Sequence, residues 1–298
     1  WMANSTKRYR TVFDRAETTY LRFELALFNK LFDEEDWKAK VSVRCEEILV
    51  SGNTTICTLD TDITVSKDDN IAYVRDGWGS PNAGSYWKKG TYQWVATLDG
   101  VEIGSQRFFV EDVGLVTKNQ NPYFAIEHVK LYNGNIDGWN EQKRDYLKTF
   151  KKDSTQYVWA EIKLKVLTNL SFNYEVFLNY IDDSGQPKAN QSKKGFIDVN
   201  KKDYPYTLDL GWGNDTPGSW KDDKYALEIV FMDALIGAVT FDCKDVEEEG
   251  DVELISGIDQ TIAVNSASST NQTGNVINAP EKTLEELLNE IDSLIGLE

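Results

Sequence analysis

The sequence predicts an all-β protein with two tandem Ig-like antiparallel β-sandwich domains and a C-terminal amphipathic helix. Three observations lead to this fold class. A long stretch of the chain occurs twice, short runs alternate apolar and polar residues, and leucines recur at helical spacing only near the C terminus. Period-two alternation is typical of half-buried strands, whereas recurrence every three and four residues is typical of helices.

The duplication defines the domain organisation. Gly77-Trp78-Gly79 returns as Gly211-Trp212-Gly213, 134 residues later, and beyond the following loop the offset of the matching residues falls to 133. A single deletion in that loop explains the change. Because two copies of this length must each bury a core of their own, we predict a first sandwich at residues 1–116 and a second at 117–250.

Alternating runs place the strands within each copy. The run Tyr20–Phe28 of the first copy corresponds to Tyr157–Leu164 of the second. Each copy closes with a hairpin, which in the first is marked by Asp99-Gly100, a strong hairpin signal between alternating runs. Six or seven strands in roughly 115–130 residues fit an antiparallel sandwich. The Cys…Trp…Cys core of immunoglobulin domains is absent, so the prediction is limited to an Ig-like sandwich.

Three segments depart from the repeated pattern. Residues 133–153 are an insertion in the second copy, and we expect residues 140–150 to form a short helix there. Residues 251–280, rich in small and polar residues, are expected to be a flexible acidic linker. Residues 281–298 carry the helical pattern.

Charge and hydropathy exclude two classes of partner. The net charge is −17, and residues 247–298 contribute most of it, with twelve acidic residues and one lysine. Without a basic stripe, nucleic-acid binding is not expected. No apolar stretch is long enough to span a membrane, and the N-terminal residues lack the apolar core of a signal peptide. We therefore expect a cytoplasmic protein with no membrane partner.

Cysteine usage agrees with a reducing compartment. Cys45, Cys57 and Cys243 form an odd set without C-x-x-C spacing, so reduced thiols are the simpler interpretation. A disulfide between Cys45 and Cys57 is the alternative.

The sequence offers no catalytic, metal or cofactor site. A single histidine, His128, cannot form a metal cluster, and no serine or cysteine has the context of a nucleophile. The acidic residues at 60–69 lack the glycine and terminal glutamate of an EF-hand loop. We therefore predict that this chain is not an enzyme and binds no cofactor.

Aromatic residues near the glycines are the candidate binding residues. Such rings can stack on sugars or anchor a peptide, but tryptophans repeated in both copies can equally plug the open end of each sandwich. Both interpretations stay open for the Gly-Trp-Gly tryptophans and for the pair that follows. The candidates are Trp78, Tyr86, Trp87, Trp212 and Trp220, with Trp139 of the insertion.

The C-terminal pattern is an amphipathic helix with an apolar stripe that a β-sandwich does not need. Thr283 and Glu286 form a plausible capping box at its start. The stripe is a candidate surface for self-association. Its residues are Leu284, Leu287, Leu288, Ile291, Leu294 and Ile295.

The last sixteen residues, Thr283 to Glu298, resemble the segment that leads into the AAA+ module of CbxX/CfqX-type (SpoVK-like) ATPases. The distinctive part is Leu294-Ile295-Gly296-Leu297-Glu298. The resemblance implies that this chain is the N-terminal recognition region of an AAA+ ATPase, recruiting a protein substrate or adaptor. No G-x-x-x-x-G-K-[ST] motif is present in these residues, so ATP binding would belong to a module beyond Glu298. The alternatives are a glycan-binding module and a scaffold that self-associates through its helix.

Overall fold

The computed structural model describes residues 9–139, 143–201 and 206–256. Within these ranges the regular elements are β-strands, which confirms the predicted all-β class. The helix expected at 281–298 and nearly all of the linker expected at 251–280 lie outside the described residues. The chain divides into two compact units between Gly114 and Leu115. No helix of the described part is long and apolar enough to cross a membrane.

Unit 1 is a sandwich of a five-stranded and a two-stranded sheet. The larger sheet has the order β1-β7-β6-β3-β4, and β2 pairs antiparallel with β5 in the smaller one. The strands are β1 Val12–Asp14, β2 Tyr20–Phe28, β3 Trp37–Glu47, β4 Thr54–Val65, β5 Ile71–Gly79, β6 Gly90–Leu98 and β7 Val101–Glu111.

Unit 2 repeats this plan and adds a strand to each sheet. The larger sheet has the order β12-β11-β14-β15-β9-β16, and the smaller one β13-β10-β8. The strands are β8 Phe124–Gly134, β9 Leu147–Lys151, β10 Tyr157–Val166, β11 Phe172–Asp182, β12 Pro187–Ile197, β13 Tyr206–Gly213, β14 Asp223–Phe231, β15 Ala234–Lys244 and β16 Glu248–Glu249.

The strand pairings show that the repeat extends to topology. In each unit a short early strand runs parallel to the last long strand, with Phe13 opposite Val110 in unit 1 and Phe150 opposite Cys243 in unit 2. The expected helix at 140–150 is therefore wrong in its last part, because Leu147–Lys151 is the strand that corresponds to β1. The side chains of Leu147 and Phe150 are buried, and the Phe150 ring packs on Phe241 of β15. This strand pairing and burial override local helix preference.

The Gly-Trp-Gly triplets end strands rather than form loops. A Cβ atom on Gly79 would lie 2.1 Å from the Thr19 carbonyl oxygen, and one on Gly213 would lie 2.0 Å from that of Gln156. A side chain at either position would collide with the backbone of the neighbouring strand. The second glycine of each triplet is thus required by close strand approach.

Candidate binding surface

An aromatic cluster of the same geometry fills the core of each unit. In unit 1 the Tyr92 and Phe108 rings are stacked 5.4 Å apart, and Trp87 meets them edge-on. In unit 2 the corresponding rings of Trp220, Tyr225 and Phe241 adopt the same arrangement, again with a stacked pair at 5.4 Å. The duplicated sequence therefore encodes a shared core.

Two of the candidate binding residues belong to this core. Trp87 is 2% exposed and Trp220 is 6% exposed. Trp220 also donates a hydrogen bond from Nε1 to the Gln156 carbonyl oxygen at 3.1 Å. The interpretation of Trp87 and Trp220 as stacking platforms is therefore wrong, because rings this deeply buried are not accessible to a ligand.

Trp78 and Tyr86 form an exposed aromatic pair in unit 1. Their exposures are 38% and 39%, and their rings meet edge-on with centroids 6.5 Å apart. Trp78 Nε1 donates a hydrogen bond to the Tyr86 hydroxyl oxygen at 2.7 Å. Tyr86 in turn meets the buried Trp87 ring edge-on at 5.5 Å. The pair is therefore oriented by internal contacts while remaining accessible. Trp78 is more exposed than a tryptophan that closes the open end of the sandwich would be.

Unit 2 lacks the equivalent pair. The loops after the two triplets have the same spacing as far as Ser85 and Ser219. The hydroxyls of these two serines each donate a hydrogen bond to a backbone carbonyl three residues earlier. Tyr86 has no counterpart, so it is the residue that accounts for the one-residue offset. Trp212, the counterpart of Trp78, is half-buried and packs on Trp220 and Tyr180. The exposed pair is therefore specific to unit 1.

Trp139 belongs to unit 2 and lies in the loop between β8 and β9. It is 38% exposed, and Lys143 Nζ lies 5.6 Å from its ring centroid. Its carbonyl oxygen accepts a hydrogen bond of 2.8 Å from Arg144 Nε. The Trp139 carbonyl group thus helps Arg144 to anchor the loop.

Arg144 is the centre of a buried polar cluster that the sequence did not reveal. Its guanidinium pairs with Glu161 and makes two hydrogen bonds to Asp209, at 3.0 and 3.1 Å. The Arg144 side chain is only 8% exposed and lies 4.6 Å from the Tyr132 ring centroid. Tyr146 donates its hydroxyl to Glu161 at 2.9 Å. These contacts fasten the loop to the outer face of the β8–β10–β13 sheet.

The cluster has a simpler counterpart in unit 1. Glu24 occupies the position of Glu161 and accepts hydrogen bonds from Tyr9 and Arg75. The corresponding strands β2 and β10 each carry a glutamate at the same position, and a tyrosine lies fifteen residues before it in both units. This recurrence is the sequence signal that could have indicated the cluster. Its recurrence in both units argues for a structural role.

The pKa values of Glu161 and Asp209 are shifted in opposite directions by their surroundings. Burial alone would raise the pKa of Glu161, but hydrogen bonds from Tyr146 and Arg144 hold that pKa below its ordinary value. Burial raises the pKa of Asp209, and Arg144 offsets this only in part. One cation thus serves two carboxylates, and Glu161 receives the greater share of the donors.

The described residues offer little to a metal ion or a small substrate. Among them no group of three or more His, Cys, Asp or Glu side chains is placed to hold a metal. A shallow cleft of about 440 Å³ has a mainly polar lining, made by Arg144, Asp145, Tyr146, Glu249, Gly250 and Asp251. Ligand pockets are usually concave and mainly apolar, which this cleft is not.

The three cysteines are buried thiols. Cys45 and Cys57 lie directly opposite each other on β3 and β4, and Cys243 lies on β15. Burial raises the pKa of Cys45 well above its usual range, and that of Cys243 to about 12. Thiols of this kind pack as small apolar groups and are poor nucleophiles.

Comparisons with known proteins do not assign a family. No family model matches the chain. A stretch of 119 residues is 29% identical to part of the glycine–tRNA ligase alpha subunit of Petrotoga mobilis, covering 37% of this chain and 40% of that protein. A crystal structure of red sea bream transglutaminase is similar over 86% of this chain and 31% of its own, at 10% identity and a TM-score of 0.29. The chain thus spans well under half of either protein, and neither similarity supports a functional argument.

Proposed function

We propose that this chain is a non-catalytic protein-recognition region that contacts its partner through Trp78 and Tyr86. The observation that carries the proposal is the contrast between the units. The rings of the shared core clusters are buried in both units, whereas Tyr86 is present only in unit 1 and forms an exposed pair with Trp78. A feature not required by the shared fold is the better candidate for a specific function.

The geometry of the pair suits a protein partner. Tryptophan and tyrosine are enriched among the residues that dominate binding energy, and a ring oriented before binding loses less entropy. The Trp78–Tyr86 hydrogen bond and the contact of Tyr86 with Trp87 supply that orientation. The glycan-binding alternative needs exposed rings as stacking platforms, and two of the candidates, Trp87 and Trp220, are buried.

The wider context of the proposal is an AAA+ ATPase in the cytoplasm. It rests on the resemblance of residues 283–298 to the lead-in segment of CbxX/CfqX-type ATPases. A tether between unit 2 and the motor would raise the effective concentration of a captured substrate or adaptor near it. The apolar stripe of the tail, from Leu284 to Ile295, would then contact the motor or a second copy of the chain.

The AAA+ context can be tested by sequencing the gene beyond the codon for Glu298. We expect a G-x-x-x-x-G-K-[ST] motif within roughly one βα unit of that codon. A stop codon there would contradict the ATPase context and favour a scaffold that self-associates through its helix. The recognition role of unit 1 would be unaffected by that result.

The recognition role predicts a loss of binding in the variants Trp78→Ala and Tyr86→Ala. Peptides selected from a random displayed library on the full chain should bind each variant at least tenfold more weakly, because truncating a central aromatic anchor typically costs about 2 kcal/mol or more. Calorimetry compares the peptide affinities of the variants with that of the parent chain. Near-UV circular dichroism checks that each variant is folded.

Trp139→Ala is the matched control, since Trp139 is equally exposed but lies in unit 2. Peptides whose affinity is unchanged by both unit 1 substitutions would contradict the proposed site. Binding of neutral glycans that requires Trp78 would favour the glycan-binding alternative instead.

A further inference from the structure

The edge of strand β15 in unit 2 is occupied by the residues that follow β16 in the same unit. The Ala238 N–H donates to the Ile255 carbonyl oxygen, and the Ile255 N–H donates to the Ala238 carbonyl oxygen, both at 2.8 Å. The bridge is antiparallel. Leu254 lies over the same edge, because a Cβ atom on Gly237 would lie 3.2 Å from Leu254 Cδ1. Unit 2 therefore shows what this edge accepts: an extended segment with aliphatic side chains.

Strand β7 is the counterpart of β15 in unit 1. The two strands share the same β-bulge, opposite Ala96–Thr97 in unit 1 and opposite Ile229–Val230 in unit 2. At the offset of 133 residues, Ser105 corresponds to Ala238 and Ile103 to Ile236. Because the ladders match, the backbone N–H and C=O of Ser105 point away from β6, as those of Ala238 point away from β14.

In the described part of the chain, no segment pairs with the corresponding edge of unit 1 along Val101–Arg107. Every residue from Val101 to Arg107 is exposed. Ile103 is 42% exposed, whereas Ile236 is 1% exposed. A Cβ atom on Gly104 would meet no atom within 4 Å, in contrast to Gly237. Among the described residues β1 is the outer neighbour of β7, and it pairs only with Phe109–Glu111.

Two other edge strands carry features that discourage strand pairing. Strand β12 begins with a proline and carries Lys188, Lys193 and Lys194, while β4 carries Asp60 and Asp62. Natural sheets use charged residues and proline in this way to prevent edge-to-edge association. The stretch from Ile103 to Gln106 contains neither a charge nor a proline. This part of β7 therefore lacks that protection against an added strand.

We propose that β7 of unit 1 accepts an extended segment of a partner protein by antiparallel strand addition along Val101–Arg107. The segment pairs with the N–H and C=O of Ser105, as Ile255 pairs with Ala238. It places a branched aliphatic side chain over Ile103 and Gly104, the space that Leu254 fills in unit 2. Main-chain hydrogen bonds give affinity in such complexes, and side-chain pockets give specificity. This site is separate from Trp78 and Tyr86.

The test uses the full chain and a synthetic peptide with the sequence of residues 251–256, Asp-Val-Glu-Leu-Ile-Ser, blocked at both ends. At saturating peptide, amide hydrogen exchange of the Val101–Arg107 segment should slow at least tenfold, because the Ser105 amide becomes hydrogen-bonded. The Ala238 amide is an internal reference, since its partner Ile255 already protects it. Unchanged exchange across Val101–Arg107 would overturn the proposal.

Variants of the edge sharpen this test. Ser105→Pro removes the outward N–H without removing a bond to β6, and Ile103→Lys puts a charge where the aliphatic side chain would lie. Each should weaken peptide binding at least tenfold, while Ser105→Ala stays within twofold of the parent chain, because it keeps the backbone N–H. Equal affinities for all three variants would overturn the site. A dimer of the parent chain that Ile103→Lys dissociates in sedimentation would assign the edge to a second copy instead.

Discussion

Replacing Trp220 with alanine should lower the free energy of unfolding of unit 2 by about 3–5 kcal/mol, and Trp87→Ala should do the same to unit 1. Each substitution removes the largest ring from a closed aromatic cluster and leaves a cavity that the stacked partners cannot fill. Trp220→Ala also leaves the Gln156 carbonyl oxygen without its indole donor. Urea unfolding with one transition assigned to each unit would measure both effects, because a two-unit chain is not expected to unfold in one step.

Trp78→Ala is the matched control for these substitutions. Trp78 is also a tryptophan of unit 1, like Trp87, but its ring is 38% exposed. We expect it to cost less than half as much as Trp87→Ala, because a partly exposed ring loses less transfer free energy. A cost for Trp78→Ala equal to that of Trp87→Ala would show that Trp78 also supports the core.

The duplication and the alternation together sufficed to predict the class of fold. Repeated strand positions such as Leu21 and Val158 alternate with polar residues, and the sheets follow that alternation. The roles of the tryptophans could not be predicted in the same way. A repeat shows that a residue is retained, but burial depends on which strands close over it. Trp87 and Trp78 are both close to glycines in the sequence, yet Trp87 is buried and Trp78 is exposed.

The polar cluster of unit 2 was missed for a related reason. Arg144, Glu161 and Asp209 come from a loop and two strands that are far apart in the sequence. A charged residue in an insertion is usually exposed to solvent. The burial of Arg144 becomes apparent only in the structure, where its loop folds back onto the sheet that carries Glu161 and Asp209. The open edge of β7 did leave a signal in the sequence, because Val101–Arg107 is more polar than the matching Ala234–Thr240, with Glu102 and Gln106 in place of Leu235 and Val239.

Replacing Arg144 with methionine should destabilise unit 2 by about 3–5 kcal/mol, the usual cost of removing one partner of a buried ion pair. Methionine keeps much of the side-chain length, so the principal loss is charge. Glu161 and Asp209 would then share a poorly solvated site without a cation. The unit 2 transition in urea at pH 7 measures the effect. Lys163→Met is the matched control: Lys163 pairs with Glu127 on the same sheet, but both side chains are more than a third exposed, so we expect a cost below about 1 kcal/mol.

The pH dependence distinguishes lost charge from lost packing. In the parent chain the pKa of Glu161 is lowered, so its contribution to stability is present above the unfolded-state pKa and is lost as the pH falls through the folded-state value. Without Arg144, burial is no longer opposed by the guanidinium, and the pKa values of Glu161 and Asp209 should both rise. Protonation then relieves the buried charge. The cost of Arg144→Met should therefore be greatest near pH 7 and shrink toward about pH 4. A cost that stays constant over this range would mean that Arg144 acts through its packing on Tyr132 rather than through its charge.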